Sequence, residues 1–330
     1  MTLAQAVAVA EEHNLDLRSA RIAAEDARVA LEQVQAAQLA RPDPVALLQA
    51  QAAADLARRQ LELARQQLRL RVAEDYFGVL RVENLIQVTQ EGLTLAQRQL
   101  EVAREKFRAG VAAEVEVLRA TGQVTDLRAT LLQLEGNRTV ALMRFRQTLG
   151  LPPDAPTRPA PQAVEPAPVE ASLEQDLARA LDERVEVLQA RAALEAARKQ
   201  AELSDNSYTP RLQLERAQLG VQRAETALQQ AVNGVTLGVR QQYEAMQDAF
   251  RRLDVLRQRV QEAQETLRMT QRMYEASAAT DVDLLSAQSA LTRARTDYVH
   301  ALFDYHLARL RYLQAVGRLN LAEGGARQAS

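Results

Sequence analysis

The sequence of 330 residues contains no Cys and no Trp, and only seven Tyr and five Phe. The missing cysteines exclude a disulfide framework, a thiol nucleophile and a Cys-based zinc site. So few aromatics leave little for a conventional globular core, and 330 residues exceed the roughly 250–300 at which single cores stop growing. Charge of one sign is missing too: 41 Lys+Arg face 43 Asp+Glu, a net charge of −2. No positive excess exists to release counterions from a nucleic acid, so nucleic acid is excluded as the main partner. Lysine is confined to Lys106 and Lys199, and the remaining basic residues are arginines alternating with acids. No apolar run of about 18 residues occurs, so no helix is predicted to insert in a membrane. The opening MTLAQAVAVAEEH lacks a basic segment followed by an apolar one, which implies either a cytoplasmic protein or a start after a removed signal.

What is abundant is Ala, Leu, Glu, Gln and Arg, the composition of long packed helices. Ten prolines punctuate them: Pro42 and Pro44, Pro210, and seven between Pro152 and Pro168. A helix-interior proline costs about 3 kcal/mol or more, so these sites divide the chain. Helices are predicted over 3–40, 45–109, 112–149, 173–203, 211–276 and 281–318. Two of them would be roughly 100 Å long. Leu93, Ala96, Leu100, Ala103 and Phe107 repeat at alternating spacings of three and four, as do Val117, Ala120, Val124, Leu127, Leu131 and Leu134. Leu253 to Tyr274 and Leu284 to Tyr305 do the same. Sustained heptads predict coiled-coil seams, and unrelated amphipathic helices would drift out of this register. The fold class expected is all-α: an elongated antiparallel coiled-coil bundle.

The two halves also match each other. NLDLRSAR (14–21) aligns with RVEVLQAR (184–191) at an offset of 170. Beyond Pro42 and Pro210 the offset becomes 167, pairing Tyr76 with Tyr243, Phe107 with Tyr274, Glu114 with Asp281 and Gly150 with Gly317. A repeat this long implies duplication. The domain organisation expected is a first helical repeat over 1–150 with its reversal near 109–114, a Pro-rich linker over 151–171, and a second repeat over 172–330 with its reversal near 276–281. Glu114 and Asp281 stand where acids favour a helix N-terminus.

The chain resembles the TolC-like outer-membrane efflux and secretion channels. The resemblance rests on TLAQAVAVAEEHNLDLRSAR, EDYFGVL (74–80), KFRAGVAAEVEVLRA (106–120), the repeat of each, FRQTLGLP (145–152) and YLQAVGRLN (312–320). It implies a homotrimer whose twelve-helix tube crosses the periplasm, working with a periplasmic adaptor and an inner-membrane transporter, at a periplasmic, outer-membrane-associated location. It also implies a twelve-stranded barrel, to which each repeat adds a strand pair between its first and long helices. Here those places hold only ARPDPVA (40–46) and SDNSYTPRL (204–212), whereas a membrane hairpin needs over about twenty residues. The chain thus resembles the tube without the barrel: either a natural relative lacking it, or a chain from which both hairpins were removed. The turn-like character of RPDP and SDNSYTP favours the first.

By resemblance, Ala109, Gly110, Val111, Ser277 and Ala278 are the tip positions that adaptor hairpins grip, and Glu116, Tyr274 and Asp283 are aperture or gate residues. Ala279 stands where the family's latch arginine is expected, and Ser286 replaces the second of two acidic ring positions. Three copies of Asp283 would form a ring of carboxylates attractive to cations; a solvated first-turn acid is the simpler role. His13, His300 and His306 share no helix face, so no metal site is expected, and no phosphate-cradling loop, cofactor site or nucleophile is legible. The spacing of Gly234 and Gly238 reads as close helix approach rather than a membrane motif. A conduit for efflux or type I secretion, not an enzyme, is the function implied. A structural or scaffolding coiled-coil protein of the cell envelope is the alternative.

Overall fold

The computed structural model describes residues 1–39, 43–160, 166, 172–276 and 278–319. Among these, every regular element is a helix: α1 Leu3–His13, α2 Leu15–Ala37, α3 Pro44–Arg108, α4 Glu114–Thr148, α5 Leu173–Glu183, α6 Val185–Ser204, α7 Arg211–Glu275 and α8 Asp281–Ala315. α3 and α7 have 65 residues each, about 98 Å of helix. α4 and α8 have 35 residues each, and α1 and α5 eleven each. The chain is therefore an elongated all-α molecule, as its periodicity predicts.

Two predicted helices are each divided. The run from residue 3 breaks at Asn14, whose backbone is extended (φ −68°, ψ 127°) while its side chain caps α2 by accepting from the Leu17 amide at 3.0 Å. The same side chain donates to the Thr148 carbonyl at 3.0 Å, which ties the break to the end of α4. Arg184 breaks the matching run in the second half with nearly the same dihedrals (φ −66°, ψ 130°) but no side-chain cap. Both breaks let a short helix fold back over the long one, α1 against α3 and α5 against α7.

The helices pack as a layer. α4 lies along α3, α3 along α8 and α8 along α7, with no extended contact between α4 and α7. Toward the other end, α2 lies along the N-terminal part of α3 and α6 along that of α7. Apolar contacts form four clusters, two large ones at mid-length and two smaller ones toward the reversals. In the first large cluster Tyr76, Phe77, Phe145 and Phe303 pack at ring separations of 5.7–6.1 Å. Ala96, Leu100 and Ala103 meet Ala120 and Val124 in one reversal cluster, where the alanines let the backbones approach closely. Phe107 departs from its predicted seam place. It is 46% exposed, because α3 ends one residue later and nothing closes over it.

α4 and α8 are equally long but unequally covered. α8 buries eleven side chains and α4 only Ala120, Val124 and Phe145, because α8 is flanked on two sides and α4 on one. The connections 38–43 and 205–210 join α2 to α3 and α6 to α7 at the end opposite the reversals. Both are too short for a pair of membrane strands.

Candidate functional site

The two reversals come side by side, and polar bonds between α3 and the α7–α8 hairpin fasten them. Lys106 Nζ, in the last turn of α3, donates to Tyr274 Oη at 2.5 Å and sits 4.1 Å from the ring centroid, a cation–π contact. Tyr274 donates its hydroxyl proton to Asp281 at the start of α8. Gln99, two turns before Lys106, donates to the same carboxylate at 2.8 Å. The bond to Tyr274 is the main influence holding the Lys106 ammonium above its ordinary range, and the nearby Asp281 and Glu116 carboxylates add to it. One ammonium thereby joins the ends of both hairpins through a single tyrosine.

Each loop has its own local cause. α3 ends in a Schellman-type turn: Gly110 takes φ +73°, its amide bonds the Phe107 carbonyl, and the Val111 amide bonds Lys106. α8 starts in a capping box, where Thr280 accepts from the Asp283 amide at 3.2 Å and the Asp283 carboxylate accepts from the Thr280 amide at 2.9 Å and its hydroxyl at 2.7 Å. These bonds hold the Asp283 carboxyl below its usual range.

Among the sequence-predicted tip positions, Ala109, Gly110, Val111 and Ala278 are exposed, Val111 strongly so at 77%; Ser277 lies outside the described residues. Glu116 is half-buried in the first turn of α4, on the Lys106 side. Tyr274 is half-buried and engaged as above. Asp283 is exposed, but its carboxylate is occupied by Thr280. Ala279, where a latch arginine is expected, offers no side-chain bond, and the ammonium of Lys106 comes from the opposite hairpin instead. Lys106, Gln99 and Asp281 are thus the functional candidates that site reasoning from sequence missed. One signal was present: Lys106 is one of two lysines in an arginine-rich chain.

A second candidate feature is the pair of open edges. On α4, Leu118, Leu132, Val140 and Met143 are exposed along a heptad stripe that also includes Gly122, Thr125, Ala129 and Gly136. On α7, Leu237, Val255, Met269 and Met273 are exposed. Both outer helices thus present apolar residues to solvent along their open edges.

Among the described residues no helix is long and apolar enough to cross a membrane, and no group of three acidic or His side chains could hold a metal ion. His13 bonds the Val9 carbonyl, and His306 is buried and stacked on Phe77.

A layer of two long helical hairpins whose reversals lie side by side has the fold of the helical tube domain of TolC-like channels. Residues 45–151 match the family model of outer membrane efflux proteins. The outer membrane protein VceC from Vibrio cholerae superposes with a TM-score of 0.77 at 17% identity, covering 96% of this chain and 96% of that one. The MtrE outer membrane channel of Neisseria gonorrhoeae, in its open state, gives 0.74 at 17% over 96% and 89%. The CmeC outer membrane channel of Campylobacter jejuni gives 0.75 at 13% over 97% and 86%. At these identities the likeness is one of fold. No curated protein matches the sequence.

Proposed function

We propose that three copies of this chain close into a twelve-helix tube, the α4 edge of each meeting the α7 edge of the next, and that the tube serves as a periplasmic conduit in efflux or type I secretion. The observation that carries this is the open layer itself. Both outer helices expose apolar stripes, and the order α4–α3–α8–α7 leaves two edges that a rotation can join. The two repeats, 1–150 and 172–330, would be equivalent wall units, and 151–171 the strap between them. The reversal end would meet a periplasmic adaptor through Ala109, Gly110, Val111, Ser277 and Ala278, coupling the tube to an inner-membrane transporter. Glu116, Tyr274 and Asp283 would line or hold the aperture, with the Lys106–Tyr274–Asp281 bonds keeping the hairpins together in the closed state. The protein acts as a passage rather than a catalyst, in the cell envelope and associated with the outer membrane.

Light scattering across a concentration series tests the assembly. A trimer of the 36.6-kDa chain reads about 110 kDa, and a single-chain mass at every concentration overturns it. The short connections at 38–43 and 205–210 favour a second role, a scaffolding rod of the envelope. A persistent monomer that binds other coiled coils and no adaptor hairpin would support that role.

A further inference from the structure

Beside the reversal end, a groove of about 390 Å³ runs between the start of α8 and α4. Its polar lining is Arg119 from α4 with Ser286, Ser289 and Arg293 from α8; Val282, Leu285 and Ala290 complete it, and no acid lines it. Among the described residues, neither guanidinium makes a hydrogen bond or an ion pair. Neither serine hydroxyl bonds a helix carbonyl, although Thr292, three residues beyond Ser289, donates to Gln288 in the ordinary way at 3.0 Å. Of the acids at the start of α8, Asp283 is engaged by Thr280 and Asp281 by Tyr274 and Gln99; Glu116 and Asp297, three and four residues from Arg119 and Arg293, lie outside the groove lining and bond neither arginine.

Two planar cations and two unused hydroxyls in one concavity are the donor set that carboxylate and phosphate oxygens require. We infer that this groove binds the anionic group of a small molecule, a carboxylate or a phosphate, held in a guanidinium fork from each side with the serines donating between them. The volume suits a small ligand. Arg119, Ser286 and Arg293 are exposed, so the groove is open and would grip the charged end of its ligand. Where this goes beyond the conduit, it rests on that proposal: Arg293 shares its helix face with Ser286, so each of three tube walls would carry one such station near the reversal end.

The test is calorimetric titration of the purified chain with pyrophosphate and, separately, citrate, in low salt. One saturable site per chain is expected for at least one of the two, and the better binder identifies the oxyanion class. Arg119→Ala and Arg293→Ala should each weaken it about tenfold, the scale of one charge-assisted bond. Ser286→Ala should weaken it by a smaller factor, and Arg128→Ala, an exposed arginine elsewhere on α4, should leave it unchanged. All four positions are solvent-facing or line the groove rim, and equal helical circular dichroism verifies folding. Absence of saturable binding overturns the inference. So does equal loss in Arg128→Ala, or binding of a polyglutamate peptide in place of both small anions. Solution mass separates this from the conduit: a monomer that binds pyrophosphate removes the tube and keeps the site, and a trimer that binds neither anion does the reverse.

Discussion

Tyr312, near the end of α8, donates its hydroxyl across 2.6 Å to Asp176, a carboxylate only 3% exposed on α5, and Arg318 approaches the same carboxylate at 3.2 Å. Burial, then the bond to Asp176, pushes the Tyr312 hydroxyl well above its usual range. The repeat offsets place Ala6 and Phe145 at the matching positions, both fully buried. One half thus closes its short helix onto the wall with a polar clasp and the other with an apolar contact. Tyr312→Phe, which strips a partner from a buried charge, should cost about 1–3 kcal/mol. The double variant Asp176→Ala with Tyr312→Phe installs the first half's pair and should cost less than the sum of the two single changes. Denaturant unfolding of all four proteins checks this, and strict additivity would sever the clasp from its measured geometry.

The positive-φ glycines differ in what surrounds them. Gly150 (φ +75°) lies so that an added Cβ would be 2.4 Å from the His13 carbonyl oxygen, whereas at Gly110 (φ +73°) nothing stands within 4 Å. Gly110→Ala should cost about 1 kcal/mol of backbone strain. Gly150→Ala should cost clearly more, since the backbone at the α1–α2 break must also shift. Thermal unfolding of the pair decides, and equal losses would mean that the α4 end does not bear on that break.

The bonds at the reversals are accessible to spin labels because the chain has no cysteine of its own. With labels at Arg104→Cys and Arg272→Cys, on exposed faces of α3 and α7, Lys106→Met and Tyr274→Phe should each broaden the distance distribution between the hairpins. An unchanged distribution in both would show that packing alone holds the tips.

Asp75 is partly buried beside Thr148, which donates to it at 2.6 Å, and burial is the main cause lifting its carboxyl above the usual value. A carboxyl whose folded pKa exceeds its unfolded value of about 3.9 loses stabilisation as pH rises through that window. Asp75→Asn, which keeps an acceptor for Thr148, should therefore be more stable than the parent at pH 7, and the difference should close below about pH 4. A gap that widens on acidification would reverse the sign of the burial effect.

Leu132 sits mid-way along the exposed α4 stripe at 69% exposure. Leu132→Glu should leave helicity intact and reduce the solution mass to that of one chain. Retention of the full assembly would move the interface off α4.

Much of this architecture was legible because prolines and heptads are local signals. Pro44 and Pro210 border the two long helices, and the buried seams at Leu253, Leu267, Leu284 and Leu291 follow the predicted spacing. The breaks at Asn14 and Arg184 were not legible. Neither involves proline or glycine, and Arg184 lacks even a capping side chain; what opens the helix there is the docking of α1 and α5 on the long helices, a tertiary effect. The resemblance brought Tyr274 forward as a gate residue, yet its lysine partner comes from another helix 168 positions away, a pairing no single-segment pattern contains. Asp283 was singled out for its charge, and local capping by Thr280 occupies that charge.

The equal lengths of α3 and α7 make the protein a pair of matched rulers. Its two hairpins start and stop level, so Lys106 finds Tyr274 only while both counts are the same. Inserting one residue in either long helix would turn everything beyond it by about 100° and lift it by 1.5 Å, parting seam and clasp together. Descendants of this sequence can therefore change their reach only in steps near 10.5 Å, by adding or losing seven residues in both halves and in both returning helices at once.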